Sequence, residues 1–163
     1  MAGRPQELLH LLTRAERLAV RRVQSVLDEF DCSIEAWRVL DLLSDGRGHN
    51  MTALAEHAFL PAPSLTKLVD QLVDQNLVFR RVDPTDRRRV LAHLTPRGMQ
   101  RRQLLIREVR ADWAQLESLL TDEETERLGS LLEHFSDALE EHGPAGARRI
   151  TTGRAERAAG RAR

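Results

Sequence analysis

The spacing of apolar residues changes once along this chain, and that change constrains the fold more than any other feature. From Glu7 to Phe30, apolar positions such as Leu8, Leu11, Ala15, Ala19, Val23, Val26 and Phe30 recur at intervals of three and four. This is the stripe of one long amphipathic helix. Ser33 suits the N-cap of a second helix running to about Leu43, with Trp37, Leu40 and Leu43 turned inward. Ser44–Asn50 is turn-rich. Two short helices are then predicted, about Thr52 to His57 and about Pro63 to Gln75, the second burying Leu65, Leu68, Val69 and Leu72. Phe59–Pro63 forms the turn between them, and Pro63 fits a first helical position because its missing N–H is not needed there. Asn76 follows where a left-handed residue commonly ends a helix. Beyond it the period falls to two. Leu77–Val82 and Val90–Leu94 predict short strands joined by the charged stretch Asp83–Arg89. Thr95 and Pro96 then open another long helix, with Leu105, Val109, Trp113, Leu116 and Leu120 along one stripe. Thr121–Glu124 is a capping box for the last helix, which carries Leu128, Leu131, Leu132, Phe135 and Leu139 as far as His142.

Composition permits such a fold. Hydrophobic residues make up 41% of the 163, enough for a core, but only 4% are aromatic and Tyr is absent, so the core must be Leu, Val and Ala. No apolar run is long enough for a transmembrane helix, and the N-terminus lacks the pattern of a secretion signal. The single cysteine, Cys32, cannot form an internal disulfide, which fits a reducing cytoplasm. Net charge is zero, but its distribution is uneven. Residues 1–61 hold seven basic and nine acidic side chains, and residues 62–102 hold nine and four. Residues 107–142 hold three and eleven, and residues 143–163 hold six and one. The middle of the chain can therefore approach phosphates while the acidic segment stays away.

A short helix, a tight turn and a second helix make a helix-turn-helix, whose second helix fits a major groove about 12 Å wide. Pro63, Ser64, Thr66, Lys67 and Gln71 lie on or near its polar side as candidate DNA-binding residues. The hairpin that follows has Arg87, Arg88 and Arg89 at its tip. An arginine there is suited to the minor groove, where negative potential is strongest in A·T-rich stretches. Asp83 and Asp86 are expected to brace the tip by holding arginine side chains in charge-assisted hydrogen bonds. The fold class is thus mainly α with a small β-hairpin wing (α+β). It is a winged helix-turn-helix over residues 33–95, with a helical dimerisation region in residues 1–32 and 96–142. Residues 143–163 form a basic tail expected to be disordered.

The segments Met51–Glu56, Pro63–Leu72, Leu77–Arg81, Asp83–Arg88 and Leu94–Gly98 resemble the MarR family of winged-helix transcriptional regulators. The specific parts are the Asp-x-x-Asp-Arg-Arg wing and the Leu-Thr-x-x-Gly junction, within a likeness covering roughly residues 8–142. The resemblance implies a bacterial homodimer on a pseudo-palindromic operator, commonly a repressor released by a small, often phenolic ligand. It also implies that the wing arginine reading the minor groove is Arg87. Asn76 departs from the glycine usual at that position. The long terminal helices then find a use, since packing against a second subunit would cover their stripes and set two recognition helices roughly 34 Å apart on double-stranded DNA.

Other chemistry is less supported. Cys32 is read as structural, because Asp28, Glu29 and Asp31 nearby would raise its pKa and so oppose thiolate formation. The six histidines show no metal-ligand spacing, and no metal or cofactor is expected. Trp37 and Arg38 lie near a cleft that family members use, but a core Trp and a solvated Arg explain them as well, so no ligand-binding residue is assigned. No catalytic motif is present, which argues against an enzyme. A helical protein–protein adaptor with an acidic partner stays open as the alternative to a cytoplasmic, nucleoid-associated regulator.

Overall fold

The computed structural model describes residues 5–142. The described residues divide into two compact units, one up to Trp113 and the other from Ala114 onward. The expected basic tail, residues 143–163, lies outside the described residues.

The elements follow the predicted order. Helix α1 spans Pro5–Asp28, α2 Ile34–Leu42, α3 Met51–Ala58 and α4 Ala62–Asp74. Strands β1 (Val78–Val82) and β2 (Val90–Leu94) form an antiparallel pair, with Val78 opposite Leu94 and Val82 opposite Val90. Helices α5 (Pro96–Glu117) and α6 (Asp122–His142) close the chain. Ser33 caps α2 by accepting from the Ala36 N–H, and Asn50 caps α3 by accepting from the Ala53 N–H. Helix α4 starts at Ala62, so Pro63 occupies its second position, not its first. The N-cap there is Pro61, in extended conformation and without a side-chain cap.

In the first unit, Leu27, Val39, Leu40, Leu43, Leu54, Leu65, Val69, Val78 and Leu105 are fully buried. They gather the apolar stripes of α1 to α5 onto one side of the hairpin. Each such side chain contributes on the order of 1.5–3 kcal/mol through burial. Leu65, Val69 and Leu72 anchor α4 to this core and leave its opposite side in solvent.

The junction from α4 through the hairpin to α5 is tightly specified. The N–H groups of Asn76 and Leu77 donate to the carbonyls of Val73 and Leu72, closing α4 in a Schellman motif with Asn76 left-handed at φ 57°. The Thr95 N–H donates to the Leu77 carbonyl at 3.0 Å, while its hydroxyl donates to Asn76 O at 2.7 Å and accepts from the Gly98 N–H at 2.9 Å. Gly98 lies directly against the Leu77 carbonyl, where any Cβ would collide with backbone. His49 also exchanges backbone hydrogen bonds with Ala92 at 3.1 and 2.9 Å, adding a one-residue third strand to the wing.

In the second unit, the Glu124 N–H donates to the Thr121 hydroxyl, and Glu124 accepts from the Thr121 N–H. This is the capping box expected from the sequence. Leu128, Leu131, Leu132, Phe135 and Leu139 of α6 are solvent-exposed.

Gly98→Ala should destabilise the protein by about 1–3 kcal/mol through overpacking against backbone that cannot yield. Urea unfolding of the variant measures this, and wild-type stability would contradict the close approach.

Candidate nucleic-acid interface

Pro63, Ser64, Thr66, Lys67 and Gln71 are all exposed on α4, but they do not share one strip. Thr66 lines a cavity of about 410 Å³ against α3, together with Thr52, Ala55 and Phe59. Gln71 lines a smaller cavity of about 210 Å³ on another side, with Cys32, Ser33 and Arg101. Ser64, Lys67 and Gln71, three and four apart, form the strip nearer the second cavity. The Thr66 hydroxyl donates to the Ala62 carbonyl at 3.0 Å, so its proton is already engaged. Asp70, between the two strips, accepts from Arg80 of β1 at 2.7 Å. That ion pair ties the helix to the wing and offsets an acidic charge on the basic surface. No local sequence signal points to it.

The wing tip is braced differently from the expectation. Asp83 accepts at Oδ1 from the Thr85 N–H (2.8 Å) and the Thr85 hydroxyl (2.6 Å). Asp86 accepts from the Arg88 backbone N–H at 3.0 Å. Neither carboxylate accepts from an arginine side chain among the described residues. The aspartates fold the turn through backbone donors, as short acidic side chains do in Asx turns. Two backbone bonds complete the turn, Asp83 N–H to Arg89 O and Arg89 N–H to Asp86 O, both 2.9 Å. Arg87, Arg88 and Arg89 are left exposed and, among the described residues, in no ion pair. The Thr85 hydroxyl and N–H hold the Asp83 carboxyl below the usual carboxylate value. Its bracing is therefore complete above about pH 4 and is lost as pH falls through that lowered value.

Behind the hairpin, the His93 ring stacks on Phe79 at 5.3 Å between centroids. Gly48, at φ 75°, lets the loop before α3 lie on the same imidazole, where a Cβ would enter the ring.

These features meet a family description. A model of the MarR family matches residues 30–89, from the end of α1 through the wing tip. The chain is similar to that family over this segment, which is 60 of its 163 residues. It is 24% identical over 124 residues to the homoprotocatechuate degradative operon repressor of Escherichia coli, a match covering 76% of this chain and 84% of that protein. A shorter match, 37% identical over 62 residues, is to a Thauera aromatica transcriptional regulatory protein for the hcr operon, and spans 38% of this chain and 37% of that one. Among solved structures, a cysteine-to-serine mutant of Escherichia coli MarR, crystallised with operator DNA, superposes with a TM-score of 0.69 at 24% identity, over 79% of this chain and 93% of that one. The likeness is to winged helix-turn-helix transcriptional regulators that bind DNA, and it favours that reading over the adaptor.

The sensor candidates separate. Trp37 packs against the core, and its indole N–H is buried without a partner among the described residues. Arg38 lies over the Phe59 ring, so the two do not form a joint pocket. Cys32 is buried and its thiol is pushed up to about 11, chiefly by burial, with Glu35 adding and Arg101 opposing. The expected direction holds. Its main cause is desolvation, and the contributing carboxylate is Glu35, not Asp28, Glu29 or Asp31.

Asp83→Ala should weaken DNA binding although it removes a negative charge from the interface, because the turn that presents Arg87–Arg89 loosens. Fluorescence anisotropy of a promoter duplex tests this, and tighter binding would contradict the bracing role.

Proposed function

We propose that the chain acts as a homodimeric repressor on a two-fold symmetric operator, with α4 in the major groove and the wing arginines in the adjacent minor groove. The carrying observation is the arginine tip: three guanidinium groups held at the apex of a backbone-braced hairpin, on the same sheet whose Arg80 is tied to α4. Ser64, Lys67 and Gln71 read base edges from one strip of α4, and Pro63 and Thr66 border the groove from the other side. Arg87 reaches the minor groove, flanked by Arg88 and Arg89.

Dimerisation is supported by apolar surface in each unit. Leu8, Leu9, Leu11 and Leu18 of α1 are exposed, as are Leu128, Leu131, Leu132, Phe135 and Leu139 of α6. Contiguous apolar surface of this kind marks an association site. No described helix is long and apolar enough to cross a membrane. The reading places the protein in the cytoplasm on the nucleoid and requires binding alone, without catalysis.

An effector site fits a cavity of about 450 Å³ lined by Asp31, Gln75, Leu77, Arg97, Arg101 and Leu104. Two guanidinium groups beside apolar walls suit an aromatic carboxylate. The neighbouring smaller cavity shares Asp31, Gln75, Leu77 and Arg101 with it and is walled by Leu68, Gln71 and Leu72 of α4. A bound ligand would therefore bias the position of the recognition helix directly. The named role of the Escherichia coli relative, in homoprotocatechuate degradation, makes that aromatic acid the first compound to try.

Arg87→Ala should reduce the slope of log K against log salt by about one contact and weaken promoter binding. Unchanged slope and affinity would remove the wing from the interface. Sedimentation at micromolar concentration should give a dimer, and a monomer would refute the assembly. Homoprotocatechuate should raise the melting temperature by mass action and release promoter DNA in a gel shift. Stabilisation without release would separate ligand binding from regulation.

A further inference from the structure

The turn before α4 contains a residue that helix-ending geometry does not favour. Phe59 closes α3 in the left-handed conformation, at φ 55° and ψ 42°, where glycine carries no steric penalty. The backbone arrangement is a Schellman motif, with the Leu60 N–H on the Ala55 carbonyl and the Phe59 N–H on the Glu56 carbonyl. The ring gains no burial in return, being 79% exposed, the highest value among the exposed large hydrophobic side chains of the described residues. Its contact is with Arg38 of α2, whose guanidinium carbon lies 4.9 Å from the ring centroid. Stacking on an aromatic face holds a guanidinium through its flat side and leaves its N–H edge free to donate.

That edge is unused. Arg22 is bound to Asp112, Arg80 to Asp70 and Arg102 to Asp41, whereas Arg38 has no hydrogen-bond acceptor or ion-pair partner among the described residues. Glu56 lines the same cavity as Phe59 but forms no ion pair with Arg38. Phe59 also shares that cavity with Thr66, and α4 begins only three residues later with no side-chain cap on its first turn. A strand of phosphates passing the N-terminal end of an inserted α4 would therefore meet Arg38 beside the helix's uncapped N–H groups.

We propose that Arg38, carried on the face of Phe59, is a DNA-backbone contact that fixes how deeply and at what angle α4 enters the groove. The proposal rests on the regulator reading above. In that scheme Arg38 supplies affinity without base preference, and Phe59 is a positioning residue that keeps the guanidinium extended toward the DNA. The ring's left-handed placement is what turns it outward to do so.

The test measures binding of the full-length chain to a promoter duplex and to a random duplex of equal length, each across a salt series. Arg38→Ala should weaken both complexes by a similar factor of about three to ten, and lower the salt slope by about one on both. Arg38→Lys should keep the slope, and Phe59→Ala should give part of the affinity loss. Melting curves of each variant separate this from loss of structure, and Arg38→Gln serves if the alanine variant does not fold. A wild-type slope in Arg38→Ala or Arg38→Gln, or a loss confined to the promoter duplex, would overturn the proposal. Wild-type protein that fails to bind either duplex would instead refute the regulator reading itself.

Discussion

The carbonyl of Leu77 is the point on which the helix-turn-helix and its hairpin depend. It accepts from the Thr95 N–H and faces the bare backbone of Gly98, so the end of α4, the base of the wing and the start of α5 meet within a few ångströms. Asn76 supplies the left-handed residue that brings the chain there, and Thr95 binds both the Asn76 carbonyl and the Gly98 N–H. Such a junction allows little independent movement between α4 and the hairpin. The two form one body, and Asp70–Arg80 reinforces this from the exposed side.

Electrostatics then divides the arginines into two classes. Those that tie helices together are matched with carboxylates: Arg22 bridges α1 to α5 through Asp112, and Arg102 bridges α5 to α2 through Asp41. Partly exposed pairs of this kind add little stability individually, but they hold orientation and neutralise charge. The arginines at the wing tip carry no such partner among the described residues. A chain with zero net charge can in this way present a locally basic surface, because its acids are spent elsewhere.

Most of the fold was legible in the sequence because it rests on local signals. Periodicity located the helices, Ser33, Thr95 and Thr121 marked where three of them begin, and the change of period located the hairpin. Less legible were features that depend on which residues meet in space. His49 pairing with Ala92 joins segments forty-three residues apart and has no local pattern. The turn itself is legible from Pro61 and Pro63, but nothing in a bulky aromatic marks Phe59 as the residue in it that takes the left-handed conformation. Opposite charge alone points to arginine as the partner of the wing aspartates. At a turn, however, a carboxylate two residues before a backbone N–H is already within reach of it, and proximity decides. The separation of Thr66 from Gln71 was in principle available from helical geometry, but only the packing of α3 and α2 reveals which side each borders.

The manner in which the hairpin apex is folded has a consequence for how such a protein can diversify. Because the turn is shaped by the Asp83 and Asp86 carboxylates with main-chain donors and the Thr85 hydroxyl, the side chains at positions 87 to 89 are not structural parts of it. They can be exchanged for other residues while the loop keeps its form. A scaffold of this design can acquire a new binding preference by changing its fingertips alone, with no need to rebuild the hand.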